Sequence, residues 1–267
     1  MGKLLFCLFA LGILPSIADG SPAVRELFDG KTLNGWYKYL RGHGRDGDPK
    51  NVISVTNGVI RITGEEFGAL VTEEEFSDYR LDVEYRWNGP AYGFKRKWAP
   101  DSGVLFHSTG PDGAFDGVWM HSLECNLIKG ASGDFWTVGA TNRPDVFIEG
   151  EAIPGVRLDC GYGKFPIWKE GGEKVHLSGN NRLCRCDIAR NWRDKPDVEI
   201  AVNEKPMGEW NALTLVCQGE TATVYFNGKL VNKATKVSPA RGKIQLQSEG
   251  WGVEFRKVTL TKLNGKN

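Results

Sequence analysis

His107 and Glu124 stand among apolar residues in DSGVLFHS and MHSLECNLIKGASGDFW, two runs that fall within residues 101–136. In SLECNLI the two-residue period of a strand puts Ser122, Glu124 and Asn126 on one face and Leu123, Cys125 and Leu127 on the other. The apolar face belongs to a core, so Glu124 and Asn126 point away from it. A carboxylate set between such apolar positions implies that its own side is enclosed as well. In GVLFHS the same period sends Val104, Phe106 and Ser108 inward and leaves Leu105 and His107 on the opposite face. Carboxylates and an imidazole gathered on one enclosed face are the equipment of proton transfer.

Other polar side chains sit at strand spacing. YRLDVEYRW alternates Leu81, Val83, Tyr85 and Trp87 with Asp82, Glu84 and Arg86, and GKIQLQSEG places Ile244 and Leu246 inward with Gln245, Gln247 and Glu249 outward. Taken alone, Glu84 beside Arg86 reads as a cross-strand ion pair on a wet face, and His107 reads as a hydrogen-bonded structural histidine. Gln245 and Gln247 read as sheet-face hydrogen bonders. Trp36, Trp87 and Trp210 lie at strand positions that favour the core. Trp98, Trp119, Trp192 and Trp251 lie in or beside loops, where an exposed indole is free to stack on a ligand, and Trp119 leads directly into the Glu124 strand. His43, His121 and His176 form no constellation.

The elements that must position these groups are short β runs between turns. VISVTNGVIRI and TATVYFNGKLV both carry Asn-Gly between β-rich flanks, a strong hairpin signal. In VEFRKVTL the apolar phase shifts between Phe255 and Val258, which predicts a bulge near Arg256. From about 140 to 205 the periodicity fades into Gly, Pro and charge, and the segment reads as an extended loop insertion within one domain over 24–264. Thirty-four glycines and 12 prolines favour many turns over long helices, and the size suits a single β-sandwich. A formal charge of +1 gives no electrostatic reason to expect nucleic acid as a partner. Nucleophile elbows, Gly-rich phosphate loops, His-x-x-x-His pairs and the Glu-x-Asp-x-x-Glu strand of ordinary double-carboxylate sandwich hydrolases are all missing.

The N-terminus, MGKLLFCLFALGILPSIADGSPA, joins a lysine, an apolar run over Leu4–Leu14 and small residues at a cleavage-like position. Residues 1–18 therefore read as a secretory signal peptide, giving an exported protein with no membrane attachment after cleavage. Loss of Cys7 with that leader leaves five cysteines. Cys125 and Cys217 read as buried small hydrophobes, and one disulfide is expected among Cys160, Cys184 and Cys186.

The ordered set LFDGKTLNGW, DYRLDVEYR, DSGVLFHSTGPDG, SLECNLIKGASGDF, WNALTLVCQGETATVYFNGKLV and GKIQLQSEGWGVEFRKVTLTKL resembles the 3-keto-disaccharide hydrolase domain family. The resemblance covers nearly all of the chain after the leader except the 140–205 stretch. It implies an all-β, concanavalin-like jelly-roll β-sandwich of two antiparallel sheets. The family usually carries Glu, one residue, then Gln where Glu124 and Asn126 stand here, and many members have a histidine where this chain has Glu249.

The activity implied is cleavage of the glycosidic bond of 3-keto-disaccharides or 3-keto-glycosides. A ketone at carbon 3 acidifies the proton at carbon 2, so a base can remove it and the group on carbon 1 leaves by β-elimination, after which water adds back. Such a route needs a base, a stabiliser for the enediolate and an acid, without a paired-carboxylate motif. The resemblance suggests Glu124 or His107 as base, Glu84 as second acid or metal ligand, and Arg86 as the cation for the oxyanion. Asn126, Trp119, Gln247 and Glu249 are the expected sugar contacts. A divalent metal ion on Glu124, Asn126 and His107 is an alternative that this donor set permits. The competing reading is a non-catalytic carbohydrate-binding module or lectin on the same fold, which needs only aromatic platforms and amides; in both readings the partner is an oligosaccharide or glycoside.

Overall fold

Strand alternation decides the architecture. In the computed structural model, which describes residues 23–139, 143–160, 162–187 and 203–264, Leu81, Val83, Tyr85 and Trp87 of the strand Tyr79–Ala91 are buried while Asp82, Glu84 and Arg86 stay partly wet. This strand lies near the middle of an antiparallel sheet that holds eleven strands among the described residues, flanked by Asn211–Gln218 and Trp251–Lys262. A second antiparallel sheet of eight strands carries the chemistry. Its central members are His121–Ile128, Asp101–Thr109 and Lys243–Ser248. The chain is a two-sheet jelly-roll sandwich.

Both Asn-Gly hairpins form. Asn57 and Gly58 have φ of 51° and 78°, and Asn227 and Gly228 have 46° and 82°, as a turn with two left-handed central residues requires. The bulge expected near Arg256 is present as a register shift between Phe255 and Lys257. The main core fills the space between the sheets, with Leu81, Tyr85, Leu215 and Phe255 from one side meeting Val104, Phe106, Leu123, Cys125 and Leu246 from the other. Trp36 and Trp87 join it as expected. Trp210 does not: it is only half-buried, and Arg86 and Arg256 each lie over its ring at 4.6 Å. Cys125 and Cys217 are buried. Cys160, Cys184 and Cys186 are free thiols rather than a bridge, and the Cys160 thiol lies 3.9 Å from Leu158 O.

The loop expected over 140–205 is corrected where the chain is described. Phe147–Asp159 extends the larger sheet by pairing with Lys229–Ser238, Glu173–Ser178 and Lys164–Trp168. Arg182–Leu183 pairs with Phe135–Val138 at the end of the smaller sheet. Period-two burial is present in FIEGEAI, but two of its inward positions are Gly150 and Ala152, which hide it from a hydrophobicity reading. Gly150 is small for a reason, since a Cβ there would lie 2.7 Å from Leu183 Cδ2. Residues 140–142, 188–202 (with Trp192) and the leader lie outside the described residues.

A buried ionic knot ties this extension to the sandwich. Asp134, fully buried, accepts from Arg182 Nε and from the Arg185 backbone N–H, each at 2.6 Å. Both guanidinium groups are buried too, so removing the carboxylate strands charge in a dry interior. Asp134→Ala is expected to lower unfolding stability by about 3–5 kcal/mol in urea melts. A loss below about 1 kcal/mol contradicts the assignment.

Candidate functional site

Every residue of His121–Ile128 is buried, so the smaller sheet is covered on both faces. One face meets the main core. On the other, Val118, Trp119 and Met120 close over Tyr37, Ala69, Val71 and Leu105. Beside that cover a cavity of ≈ 280 Å³ remains. Glu124 and Asn126 share its floor because they are two residues apart on one strand. Across the sheet Gly103 pairs with Asn126 and Leu105 with Glu124, while Leu246 pairs with Val104, so the next residue along, Gln247, comes up beside Gly103. Asp101 opens its strand and Glu249 follows its own, so both carboxylates reach the same end of the cavity.

Lys95 reaches that end from the short 3-10 helix Gly93–Lys97. Its Nζ lies 2.5 Å from Asp101 Oδ2 and 2.6 Å from Glu249 Oε1, with only 3% of the residue exposed. Burial pulls the ammonium pKa down, but the two carboxylates outweigh burial and raise it, so Lys95 stays charged. Burial and repulsion from Asp101 push Glu249 up to about 7, opposed by Lys95. Glu124 is held well above the carboxylate range by burial, then by Glu249 and Asp101, with Arg182 and Lys95 opposing. The cavity therefore pairs a carboxylic acid that remains protonated with a carboxylate poised near neutrality.

The remaining surface suits a polyol. Asn126 Oδ1 and Gln247 Oε1 are buried without a hydrogen-bond partner in the protein, leaving acceptors that hydroxyl donors would satisfy. Trp98, Phe115, Trp119 and Trp136 supply apolar walls. Trp119 is fixed by its Nε1–H to Gly68 O at 2.9 Å and by near-parallel rings of Phe67 and Phe115 at 6.2 and 6.5 Å.

Of the residues singled out in the sequence, Glu124, Asn126, Trp119, Gln247 and Glu249 meet in this one cavity. His107, Glu84 and Arg86 do not. Strand pairing slips between Phe106 and Thr109, and His107 takes a left-handed φ of 50°, which inverts the face of everything beyond it. The imidazole turns into the core against Phe106 and Tyr79, with Nδ1 2.8 Å from Pro239 O. Ser108, expected inward, instead turns outward and accepts from Gln245 Nε2 at 2.8 Å. His107 is thus neither a base for this cavity nor a metal ligand alongside Glu124 and Asn126. Among the described residues no group of three or more His, Cys, Asp and Glu side chains is arranged to hold a metal ion. Glu84 and Arg86 lie on the outer face of the other sheet, across the whole core. There Arg256 Nε donates to Glu84, and Arg86 donates to Glu254 at 2.7 Å.

Lys95, Asp101, Trp136 and Tyr162 enter the site without having been singled out for it. Lys95 sits in FKRK, which reads as a solvated basic run, and nothing in its spacing marks one lysine as buried.

The jelly-roll fold and the family profile together mark a carbohydrate-active protein. The chain belongs to the family described as the 3-keto-alpha-glucoside-1,2-lyase-like domain, whose profile matches residues 23–261. Two crystal structures of a candidate glycosyl hydrolase from Parabacteroides distasonis are similar to it, each with a TM-score of 0.51 and 18% identity over 90% of this chain, covering 94% and 100% of theirs. A β-glucanase from Bacillus licheniformis is similar at a TM-score of 0.44 and 12% identity, over 91% of this chain and 99% of its own. Comparison with curated proteins gives no match.

His107 also makes a stability prediction. Burial lowers its pKa to about 4 in the folded chain, against 6.5 when unfolded. The unfolded state therefore takes up the proton first as pH falls, and stability is lost between about pH 6.5 and 4, up to about 3 kcal/mol. His107→Asn, which tolerates the left-handed backbone, is expected to lack that part of the slope in urea melts across this range; an unchanged slope contradicts the placement.

Proposed function

We propose that this protein cleaves the glycosidic bond of 3-keto-disaccharides and related 3-keto-glycosides by β-elimination followed by hydration, and that it acts outside the cytoplasm after export. The observation that carries the reading is the arrangement of Glu124, Glu249 and Lys95 in one cavity, with carboxyl groups shifted apart around a fixed ammonium. Family membership supports the substrate class. The leader pattern at 1–18 supports export.

A ketone at carbon 3 makes the proton at carbon 2 acidic. Glu249, near neutral pKa, accepts that proton, and the charge that moves onto the carbonyl oxygen is met by the Lys95 ammonium. Glu124, whose carboxyl burial holds well above the usual range, serves in this reading as the acid that protonates the departing oxygen on carbon 1. Water then adds to the carbon 1–carbon 2 double bond, the hydroxyl going to carbon 1 and a proton returning to carbon 2. Asn126 and Gln247 accept from sugar hydroxyls, and the tryptophans cover the ring faces. Asp101 holds Lys95 in place.

A lectin would use the same tryptophans and amides. It has no need of three carboxylates gathered around a buried lysine, and that cluster favours the enzyme.

Purified protein is expected to cleave a 3-keto-disaccharide and leave the unoxidised parent intact. Glu124→Gln is expected to lower kcat by about 100-fold or more, and Lys95→Met by about 100- to 1000-fold. Activity of the wild type is expected to rise with pH through about 7 as Glu249 loses its proton, then to fall as Glu124 ionises. Assays with and without chelator report any metal requirement. Binding of either sugar with no cleavage establishes the binding-module reading instead.

A further inference from the structure

Gly103 occupies a strand interior, where glycine is ordinarily a weakness. Its backbone does not call for it, since Gly103 is absent from the glycines with positive φ among the described residues. The reason lies above its Cα. A Cβ at Gly103 would stand 2.3 Å from Glu124 Oε1, 2.8 Å from Cδ and 2.9 Å from Cγ. The Glu124 side chain thus lies over the space that any other residue would fill.

That space has a defined place on the cavity floor. Gly103 pairs with Asn126 on one side and comes beside Gln247 on the other, and both neighbours bury an acceptor oxygen with no partner. Glu124, whose own cross-strand partner is Leu105, leans diagonally into this row.

We propose that the missing side chain of Gly103 is the seat that holds the Glu124 carboxyl between Asn126 and Gln247, making Gly103 a positioning residue for the acid. The inference rests on the reaction proposed above for its kinetic consequence, but not for its geometry. An alanine lifts the carboxyl off the floor and parts it from the acceptors that address the same sugar. Shortening Glu124 by one methylene removes Oε1, the atom nearest the added methyl, and leaves the Cγ position at 2.9 Å, from which the shorter carboxyl can turn aside.

The test is a cycle of Gly103→Ala, Glu124→Asp and the double variant, assayed on a 3-keto-disaccharide. Gly103→Ala is expected to lose about 100-fold in kcat while KM changes little, as displacement of a reacting group by about 1 Å does. The double variant is expected to regain at least about tenfold over Gly103→Ala, a coupling that separate sites would not show. The high-pH limb set by Glu124 moves in Gly103→Ala and returns toward that of Glu124→Asp in the double variant. If Gly103→Ala does not fold, recovery of folded protein in the double variant supports the same contact. Wild-type kcat in Gly103→Ala, additive losses in the cycle, or a double variant that also fails to fold overturns the proposal.

Should the wild-type protein cleave no keto-sugar, the proposed function fails and the geometry is still read by infrared titration of the Glu124 carboxyl, identified by its loss in Glu124→Gln. A shifted titration in Gly103→Ala that the double variant reverses supports the seat. Identical titrations in wild type and Gly103→Ala refute it.

Discussion

A lysine ammonium shut away from water between Asp101 and Glu249 is the interaction on which the site depends. Three carboxyl groups, including Glu124, line one cavity, and burial, reinforced by repulsion from neighbouring carboxylates, favours protonation of Glu124 and Glu249. Lys95 divides them. Held by a direct contact to the ammonium, Glu249 is kept near neutrality, whereas Glu124 receives only a distant share of the charge and is driven upward. A single cation thus produces an acid and a base from chemically equivalent side chains. In the proposed reaction the tethered lysine is in place before substrate arrives, so no solvent need reorganise when charge develops on the carbonyl oxygen.

The sandwich exists to make that interior. A sheet with one wet face would hydrate Glu124 and return it to the ordinary carboxylate range. Here the segment ending in Val118–Met120 and the extension beyond residue 146 cover the smaller sheet, and the Asp134 contacts to Arg182 and Arg185 fasten that extension down. The oxygens of Asn126 and Gln247 have no partner within the protein, which leaves both as acceptors open to hydroxyl donors.

Much of this was legible in the sequence because strand burial has a strict period of two. Leu81, Val83, Tyr85 and Trp87 announce their sheet, the Asn-Gly pairs at 57–58 and 227–228 announce hairpins, and the phase break near Arg256 announces a bulge. The same period put Glu124 and Asn126 on the correct face. It failed at His107, where one left-handed residue inverts the alternation, and no pattern of hydrophobicity records that inversion. Period two also tells which face a residue takes without telling which sheet it belongs to, so Glu84 and Arg86 were grouped with a site on the far side of the core. The strand Phe147–Asp159 escaped notice because Gly150 and Ala152 occupy inward positions. Lys95 escaped because burial of one lysine in a basic run is a tertiary event.

The central claim is that bond cleavage proceeds through loss of the carbon 2 proton, not through direct displacement at carbon 1. Turnover of a 3-keto-disaccharide in deuterium oxide tests it most directly, with the released keto-sugar read by proton NMR against the same keto-sugar held without protein. The account predicts one deuterium at carbon 2 of the released sugar, incorporated as fast as the bond is broken, with the wild-type protein and not with Glu249→Gln. Released sugar that retains its original carbon 2 proton would contradict it, because the bond would then have been broken without elimination.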